Sequence, residues 1–278
     1  GCGIAVAANL RQQLRLTNRL GLAQMGALGY QAGAVGETFG AALALAERIG
    51  DPDLVFPAVF GLCTHRYTAG RPFSAFRPLV GRAHDLLDAL DDKSRRLNAP
   101  RLMALQTVGL FHEARFEAVL ARVDRVCAAY DGDLAGALVQ RYGEDSRITA
   151  TGYRAWALSF TGHVDAARGA VAQAVEWGRG LDHAASLCMA LLNGAARNGL
   201  WLRDPETVIT ASAEALQLAR RQSLPLWQHY AQLQLGLALA QTGKAAEVAM
   251  LAERLERFAR SGVRVLEPPN LPLLAAAQ

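Results

Sequence analysis

Lysine is nearly absent from this sequence. Lys93 and Lys244 are the two lysines among 29 basic residues, so arginine supplies almost all of the positive charge. The 25 acidic residues leave a net charge of +4, and no segment concentrates it. Because nucleic-acid binding needs a clustered basic surface, the sequence disfavours a nucleic-acid partner and favours a dispersed surface charge.

Aromatic residues are also scarce, at 7% of a chain that is 51% hydrophobic. The apolar residues are largely Ala and Leu, which favour helices over sheets. Charged or polar residues interrupt every apolar run before it reaches the roughly 18 residues that a membrane span requires. We therefore expect a cytoplasmic all-α protein with no membrane partner.

Motifs for disulfide and metal chemistry are missing. Four cysteines, Cys2, Cys63, Cys127 and Cys188, lie far apart with no CxxC pair, which favours reduced and mostly buried thiols. The six histidines form no HExxH motif and no i, i+4 pair, so we expect no metal site. The stretch that begins with Asp131 lacks the carboxylates of a calcium loop.

Motifs for nucleotide binding and covalent catalysis are missing as well. Gly243-Lys244 lacks the preceding Gly and the following Ser or Thr of a P-loop, and no GxSxG elbow is present. The paired carboxylates at 91–92 and 144–145 fall at predicted helix ends, where capping explains them: Asp91 and Asp92 would close one helix, and Asp145 would cap the next. We predict no cofactor and no enzymatic activity for this segment.

What the chain does have is helical periodicity. Apolar residues recur at i, i+3, i+4 and i+7 over segments of about 15 to 20 residues, and Gly, Asp and Pro separate the segments. The pattern predicts helices over 5–30, 35–49, 54–69, 73–91, 96–111, 114–130, 146–161, 164–179, 184–201, 205–221, 226–242 and 245–261.

The turns between these helices repeat at a nearly fixed interval. Gly162, Arg203 and Gly243 mark equivalent turns and lie 41 and 40 residues apart, and Gly70 and His112 mark the same turn earlier in the chain. A period of about 40, with one helical hairpin in each unit, is typical of a solenoid. We predict a tetratricopeptide-like, right-handed superhelical array of about six antiparallel hairpins.

The whole chain, 1–278, would be a single solenoid, with 131–143 as a loop between repeats. The Pro-rich stretch 265–275 is typical of a linker and the first turn of a further hairpin. On this interpretation the chain is a fragment of a longer multidomain regulator.

In a superhelix of this type the first helix of each hairpin lines the concave side. Aromatic, Arg and Asn side chains there suit a peptide or a small polar effector, through stacking and forked hydrogen bonds. Packing between adjacent repeats is the alternative explanation for each of them. The positions that precede the turns select Thr64, Tyr67, Trp156, Phe160, Asn193, Arg197, Trp201, Tyr230 and Leu237.

Two stretches carry a family resemblance. Arg141-Tyr142-Gly143-Glu144-Asp145, followed by the helix that contains Ala155-Trp156-Ala157-Leu158, resembles the C-terminal repeat region of bacterial STAND/AAA-type signalling ATPases. So does Ala44–Pro52. Those ATPases are linked to adenylate or guanylate cyclase domains or to winged-helix transcriptional regulators. Arg154 departs from the apolar residue usual in that family.

The resemblance implies a sensor arm that acts on an ATPase domain of the parent protein, and it carries over no catalytic residue. Three functions stay open from the sequence. The first is a sensor and interaction domain that binds a ligand or a protein in its concave groove. The second is a freestanding protein–protein scaffold, and the third is a helical enzyme with an unrecognised site.

Overall fold

Helices account for all the regular structure in the described part of the chain. The computed structural model describes residues 2–131 and 133–242, and no strand occurs within these ranges. The described chain forms two compact units that divide between Leu102 and Met103. The all-α class predicted from periodicity is confirmed.

The first unit contains three long helices and a short fourth. Its elements are α1 (Cys2–Leu28), α2 (Gly33–Ile49), α3 (Pro52–Thr68), a 3-10 turn (Phe73–Ala75), α4 (Arg77–Leu87) and the first half of α5 (Asp92–His112). Short turns join α1, α2 and α3, and each helix packs against its neighbour in the sequence. Consecutive packed helices with short turns are antiparallel, as the predicted hairpins require.

The second unit continues the pattern. After the second half of α5 come α6 (Phe116–Ala128), α7 (Leu134–Tyr142), α8 (Ser146–Phe160), α9 (Val164–Gly180), α10 (Ala184–Met189), a π-helical segment (Ala190–Ala196), α11 (Arg197–Leu202), α12 (Pro205–Arg221) and α13 (Pro225–Gln241). Helix α8 packs on α9, and α12 packs on both the π-helical segment and α13. The unit is thus a row of hairpins, each covering the apolar face of the next.

The phenyl ring of Phe39 shows how closely the hairpins approach in the first unit. Phe39 lies on α2, is 1% exposed, and packs with Met25, Val35 and Leu62. Its ring lies over Gly21 of α1, where an added Cβ would be 2.6 Å from Cζ, and over Gly61 of α3, where a Cβ would be closer still. Glycine on both neighbouring helices therefore makes room for one aromatic ring.

Left-handed residues close the turns inside the hairpins. Gly70, Gly162 and Arg203 have φ values of 72°, 84° and 55°, as the repeat of turn positions predicts. In the turn between α5 and α6 the left-handed residue is Ala114, with φ 55°, and the predicted centre, His112, is instead the last residue of α5. Helix α5 continues one residue past its predicted end, and the left-handed residue of the turn lies two residues later than predicted.

Replacing Ala114 by Gly should stabilise the protein by about 1 kcal/mol. An L-residue at positive φ is strained by its Cβ, and glycine removes that strain. Thermal or urea unfolding of the Ala114→Gly variant measures the change. The reciprocal variant Gly162→Ala, at φ 84°, should lose a similar amount. A loss of stability in Ala114→Gly, or a gain in Gly162→Ala, would contradict this description of the turns.

Two predicted boundaries are wrong. The stretch 131–143, predicted to be a loop, contains helix α7, in which Leu134, Leu138 and Tyr142 are buried at i, i+4 and i+8. Helix α4 ends at Leu87 rather than at 91, and Asp91 precedes the next helix, where its Oδ1 accepts a 2.7 Å hydrogen bond from the Ser94 amide. That bond lowers the pKa of Asp91, and it shows that the acidic pair begins α5 instead of closing α4.

Several predictions lie outside the described residues: the helix 245–261, the turn at Gly243, and the Pro-rich stretch 265–275. The single-domain organisation and the right-handed course of the array stay predictions. None of the described helices combines the length and the apolar character needed to cross a membrane.

Candidate functional site

The second unit brings six of the predicted groove residues together. Trp156 and Phe160 lie on α8, Asn193 in the π-helical segment, Arg197 and Trp201 on α11, and Tyr230 on α13. Tyr67 is on α3 in the first unit, half-buried, with its ring edge-on to Phe76 at 6.3 Å. Thr64 is on the same helix, and Leu237 is buried on α13.

Aromatic rings from three hairpins meet at the ends of α5, α8 and α11. We call this the aromatic patch and define it as Phe111, Phe116, Phe160 and Trp201. Phe116 stacks on Phe160 with ring centroids 6.0 Å apart, and Phe160 lies 5.0 Å from Trp201. Phe160 is 56% exposed, although large apolar side chains are usually covered. The patch is thus a cluster of rings partly open to solvent.

Phe111 and Phe116 were missed by sequence reasoning. Phe111 contacts Phe116, Tyr153, Trp156 and Phe160 at centroid distances of 5.4 to 5.9 Å, which places it at the centre of the rings. Its position could have revealed it, because Phe111, Phe160 and Trp201 each stand within three residues of the left-handed residue of their turn.

Trp156 joins the aromatic patch to a set of polar side chains. It is 4% exposed, and its ring lies 5.1 Å from Trp201 and 5.6 Å from Phe111. On the other side, its indole Nε1 donates a 2.8 Å hydrogen bond to the backbone carbonyl of Asn193. The ring thus contacts apolar and polar neighbours at once.

The polar set, which we call the Arg197 cluster, comprises Asn193, Arg197 and Tyr230. The Tyr230 hydroxyl donates to Asn193 Oδ1 at 2.6 Å and accepts from Arg197 Nη2. The Arg197 guanidinium carbon lies 5.1 Å from the Trp156 ring centroid and 5.4 Å from that of Tyr230, so it is in contact with both rings. Three helices are linked through this cluster.

A π-helical segment places Asn193 and Arg197 within reach of their partners. The segment Ala190–Ala196 is rich in small residues and ends directly before Arg197. A π-helical turn is wider than an α-helical turn, and such turns are frequent at functional sites. Within this segment the backbone carbonyl of Asn193 accepts a hydrogen bond from Trp156 of the neighbouring hairpin.

Burial divides the predicted residues into two groups. Trp156, Tyr230 and Arg197 are 4%, 3% and 8% exposed and contact each other, as packing between hairpins requires. Asn193 and Trp201 are half-buried, and Phe160 is exposed. Phe160, Trp201 and Asn193 are therefore the residues of this set that solvent reaches, and the buried residues lie behind them.

A second polar cluster lies where α8 begins. Asp145 Oδ1 caps the helix by accepting a 2.8 Å hydrogen bond from the Arg147 amide, as predicted. Arg147 also pairs with Asp145 Oδ2 at 3.2 Å and lies between the rings of Tyr130 and Trp177. Burial, reinforced by the nearby Asp145 carboxylate, raises the pKa of Tyr130. This arrangement is an ion pair that links the segment after α6 to α8 and α9.

Arg154, the residue that departs from the resembled family, reaches a partner on a neighbouring helix. Its Nη2 donates to Asp124 Oδ1 of α6, and its side chain is 27% exposed. Its polar head thus ends in an ion pair at the surface, which explains how the position accommodates a charge.

The thiols are not arranged for nucleophilic chemistry. Burial raises the pKa of both Cys63 and Cys188 to about 12, and it also raises the pKa of Cys127. A thiol with a raised pKa is a poor nucleophile because little thiolate is present near neutral pH. Within 2–131 and 133–242, no three His, Cys, Asp or Glu side chains are grouped in a way that could hold a metal ion.

His183 caps α10 and gives the fold a dependence on pH. Its Nδ1 accepts from the Ser186 amide at 3.3 Å, and burial lowers its pKa from 6.5. The unfolded chain therefore binds the proton more readily than the folded chain. The stability that neutral His183 contributes is fully present above pH 6.5 and is lost as the pH falls below that value.

A His183→Asn variant should therefore lose less stability than wild type between pH 7 and pH 5, since Asn also caps helices and does not titrate. Urea unfolding at both pH values measures the difference. An identical pH dependence in the two proteins would show that His183 does not titrate on unfolding.

Comparisons with known proteins were made for the whole chain. No family model matches it, and no curated protein matches it. Among solved structures, it is similar to a Rap protein in complex with Competence and Sporulation Factor, at 13% identity and a TM-score of 0.38, over 96% of this chain and 85% of that one. A similarity this weak does not indicate a shared function, so we infer the function of this chain from its own residues.

Proposed function

We propose that this chain is a non-catalytic helical-repeat domain that binds a peptide segment of a partner protein at the aromatic patch. The observation that supports the proposal most directly is Phe160, which is 56% exposed although it belongs to a cluster of rings. Partly exposed aromatic groups beside a polar set are typical of peptide-binding surfaces. A small polar effector bound at the same place is the narrower form of this proposal.

The wider setting we propose is a signal-transduction regulator. Its support is the resemblance of the Arg141–Asp145 stretch and the following helix to the repeat region of STAND/AAA-type ATPases. In such a protein, a ligand that binds one conformation of the domain better than another shifts the state of the attached ATPase. Three free thiols, Cys63, Cys127 and Cys188, support a reducing, cytoplasmic location.

A selection of peptides from a random display library tests the proposed surface. Wild-type protein should enrich peptides with apolar anchor residues, and the Phe160→Ser variant should bind the selected peptides at least tenfold more weakly, because it removes an exposed contact. Leu20→Ser is the matched control, since Leu20 is 52% exposed in the first unit. Equal weakening by both variants, or none by Phe160→Ser, would exclude the patch as the binding surface.

A further inference from the structure

Arg197 carries a buried positive charge that no carboxylate of the described residues neutralises. The residue is 8% exposed, and Nη2 donates to the neutral Tyr230 hydroxyl. Its Nε, also buried, has no hydrogen-bond partner within the described chain. A buried charge without a counter-ion costs more free energy than one that is paired.

Arg147 provides a comparison within the same chain, because it also lies between two aromatic rings. Its guanidinium carbon is 4.6 Å from the Tyr130 centroid and 4.1 Å from that of Trp177. Its Nε is also buried without a hydrogen-bond partner in the described chain, but its charge pairs with the Asp145 carboxylate. Arg197 also lies between two rings, those of Trp156 and Tyr230, without such a carboxylate in the described residues. The comparison indicates that the Arg197 guanidinium is suited to an anionic partner.

A second buried polar side chain without hydrogen-bond partners lies on α13, one helical turn from Tyr230, the hydroxyl partner of Arg197. Gln234 is one helical turn beyond Tyr230 on the same face of α13 and is 0% exposed. Neither its Oε1 nor its Nε2 has a partner among the residues described. Buried amides are normally hydrogen-bonded, so a polar ligand or bound water is expected beside them.

Half-buried side chains flank Arg197 along the π-helical segment and α11. Asn193 lies one turn before it and is half-buried, and Trp201 lies one turn after it in the aromatic patch. A ligand on the patch would therefore have its polar end within one helical turn of the guanidinium.

We propose that Arg197 binds a carboxylate group of the ligand, an inference that rests on the proposed peptide-binding function. The Nε–H and an Nη–H of a guanidinium form a planar fork that matches the two oxygens of a carboxylate. The carboxylate belongs to a peptide terminus, to an acidic side chain or to a small carboxylic acid, and the aromatic patch holds the apolar part of the ligand.

Binding measurements with matched probes test this on the full chain. The probes are N-acetylphenylalanine, its uncharged amide, N-acetyl-aspartyl-phenylalaninamide and acetate, each followed by Trp fluorescence and by the shift in Tm at constant ionic strength. We expect at least one carboxylate probe to bind tenfold or more tightly than the amide. The probe that binds best identifies the source of the carboxylate.

Variants of Arg197 assign the effect to one residue. Arg197→Met should abolish the preference for the carboxylate probe. Arg197→Lys keeps the charge but not the planar fork, so it should reduce that preference at least threefold. The Lys variant keeps the assay informative if the Met variant does not fold. Arg179→Gln is the matched control, since Arg179 is an exposed arginine paired with Glu214. It should bind like wild type.

Two kinds of outcome overturn the inference. They differ in whether the proposed peptide-binding function is also overturned. Equal binding of the carboxylate and amide probes, or an unchanged preference in Arg197→Met, removes the carboxylate site but leaves peptide binding at the patch intact. If no probe binds and the display selection also enriches no peptide, the inference and the proposed function both fail.

Discussion

The Trp156→Ala variant should lose about 3–5 kcal/mol of unfolding free energy, the usual cost of deleting a large buried aromatic side chain. Trp156 is 4% exposed and contacts Phe111, Tyr153 and Trp201, so its removal leaves a cavity between hairpins. Urea unfolding measures the loss. A Trp that merely lined an open groove would cost far less, because its ring would leave no cavity.

Trp156→Phe separates packing from hydrogen bonding at this position. The variant keeps most of the ring and loses the indole N–H that donates to the Asn193 carbonyl at 2.8 Å, so we expect a loss of about 1–2 kcal/mol. Equal losses in the Ala and Phe variants would mean that the hydrogen bond, rather than the packed ring, carries the effect.

The second large effect is expected at Gly61, where alanine should destabilise the protein by about 1–3 kcal/mol. Glycine to alanine inside a helix normally stabilises by about 1 kcal/mol. Here the new Cβ would lie closer than 3.0 Å to several atoms of the Phe39 ring, which is buried and held by both neighbouring helices. Unfolding of the first unit by urea, followed by circular dichroism, measures the change.

Two further variants make that test specific. Gly81→Ala, on α4, meets nothing within 4 Å and should be neutral or stabilising. Phe39→Leu combined with Gly61→Ala should lose less than the two single changes added together, because the smaller side chain makes room. Additive losses would show that the Phe39 ring does not occupy the space above Gly61.

The sequence predicts most of the helices because each signal is local. Apolar periodicity places α2, α3, α8, α9, α12 and α13 within one or two residues of their observed limits. Gly50 and Gly162 end helices in the left-handed conformation that glycine favours, so their turns are predictable from composition alone. Ala114 adopts the same conformation without being glycine, and its turn was therefore misplaced.

Helix α7 and the π-helical segment were not predictable for different reasons. Asp131, Asp133 and Gly136 suggested a loop, whereas burial of Leu134 and Leu138 overrides that local preference. The residue types of Ala190–Ala196 are those of an ordinary helix. The wider turn occurs where Trp156 of the preceding hairpin and Tyr230 of the following one both bond to Asn193, and such long-range contacts are not visible in the local sequence.

The candidate site was partly predictable. Counting back from the turns finds Trp156, Arg197 and Tyr230, whose side chains do meet in the structure. The count gives a position on a helix but not the burial of the side chain, so it did not separate the exposed Phe160 from the buried Trp156. Arginine stacked on aromatic rings also could not be foreseen from an arginine-rich composition.

The most direct test of the proposed binding surface is hydrogen–deuterium exchange of the full chain with and without a peptide selected by display. We expect added protection in three stretches that border the aromatic patch and the Arg197 cluster: 111–116, 156–163 and 193–204. Protection confined to other surfaces, such as the exposed face of α1, would contradict the proposed binding surface.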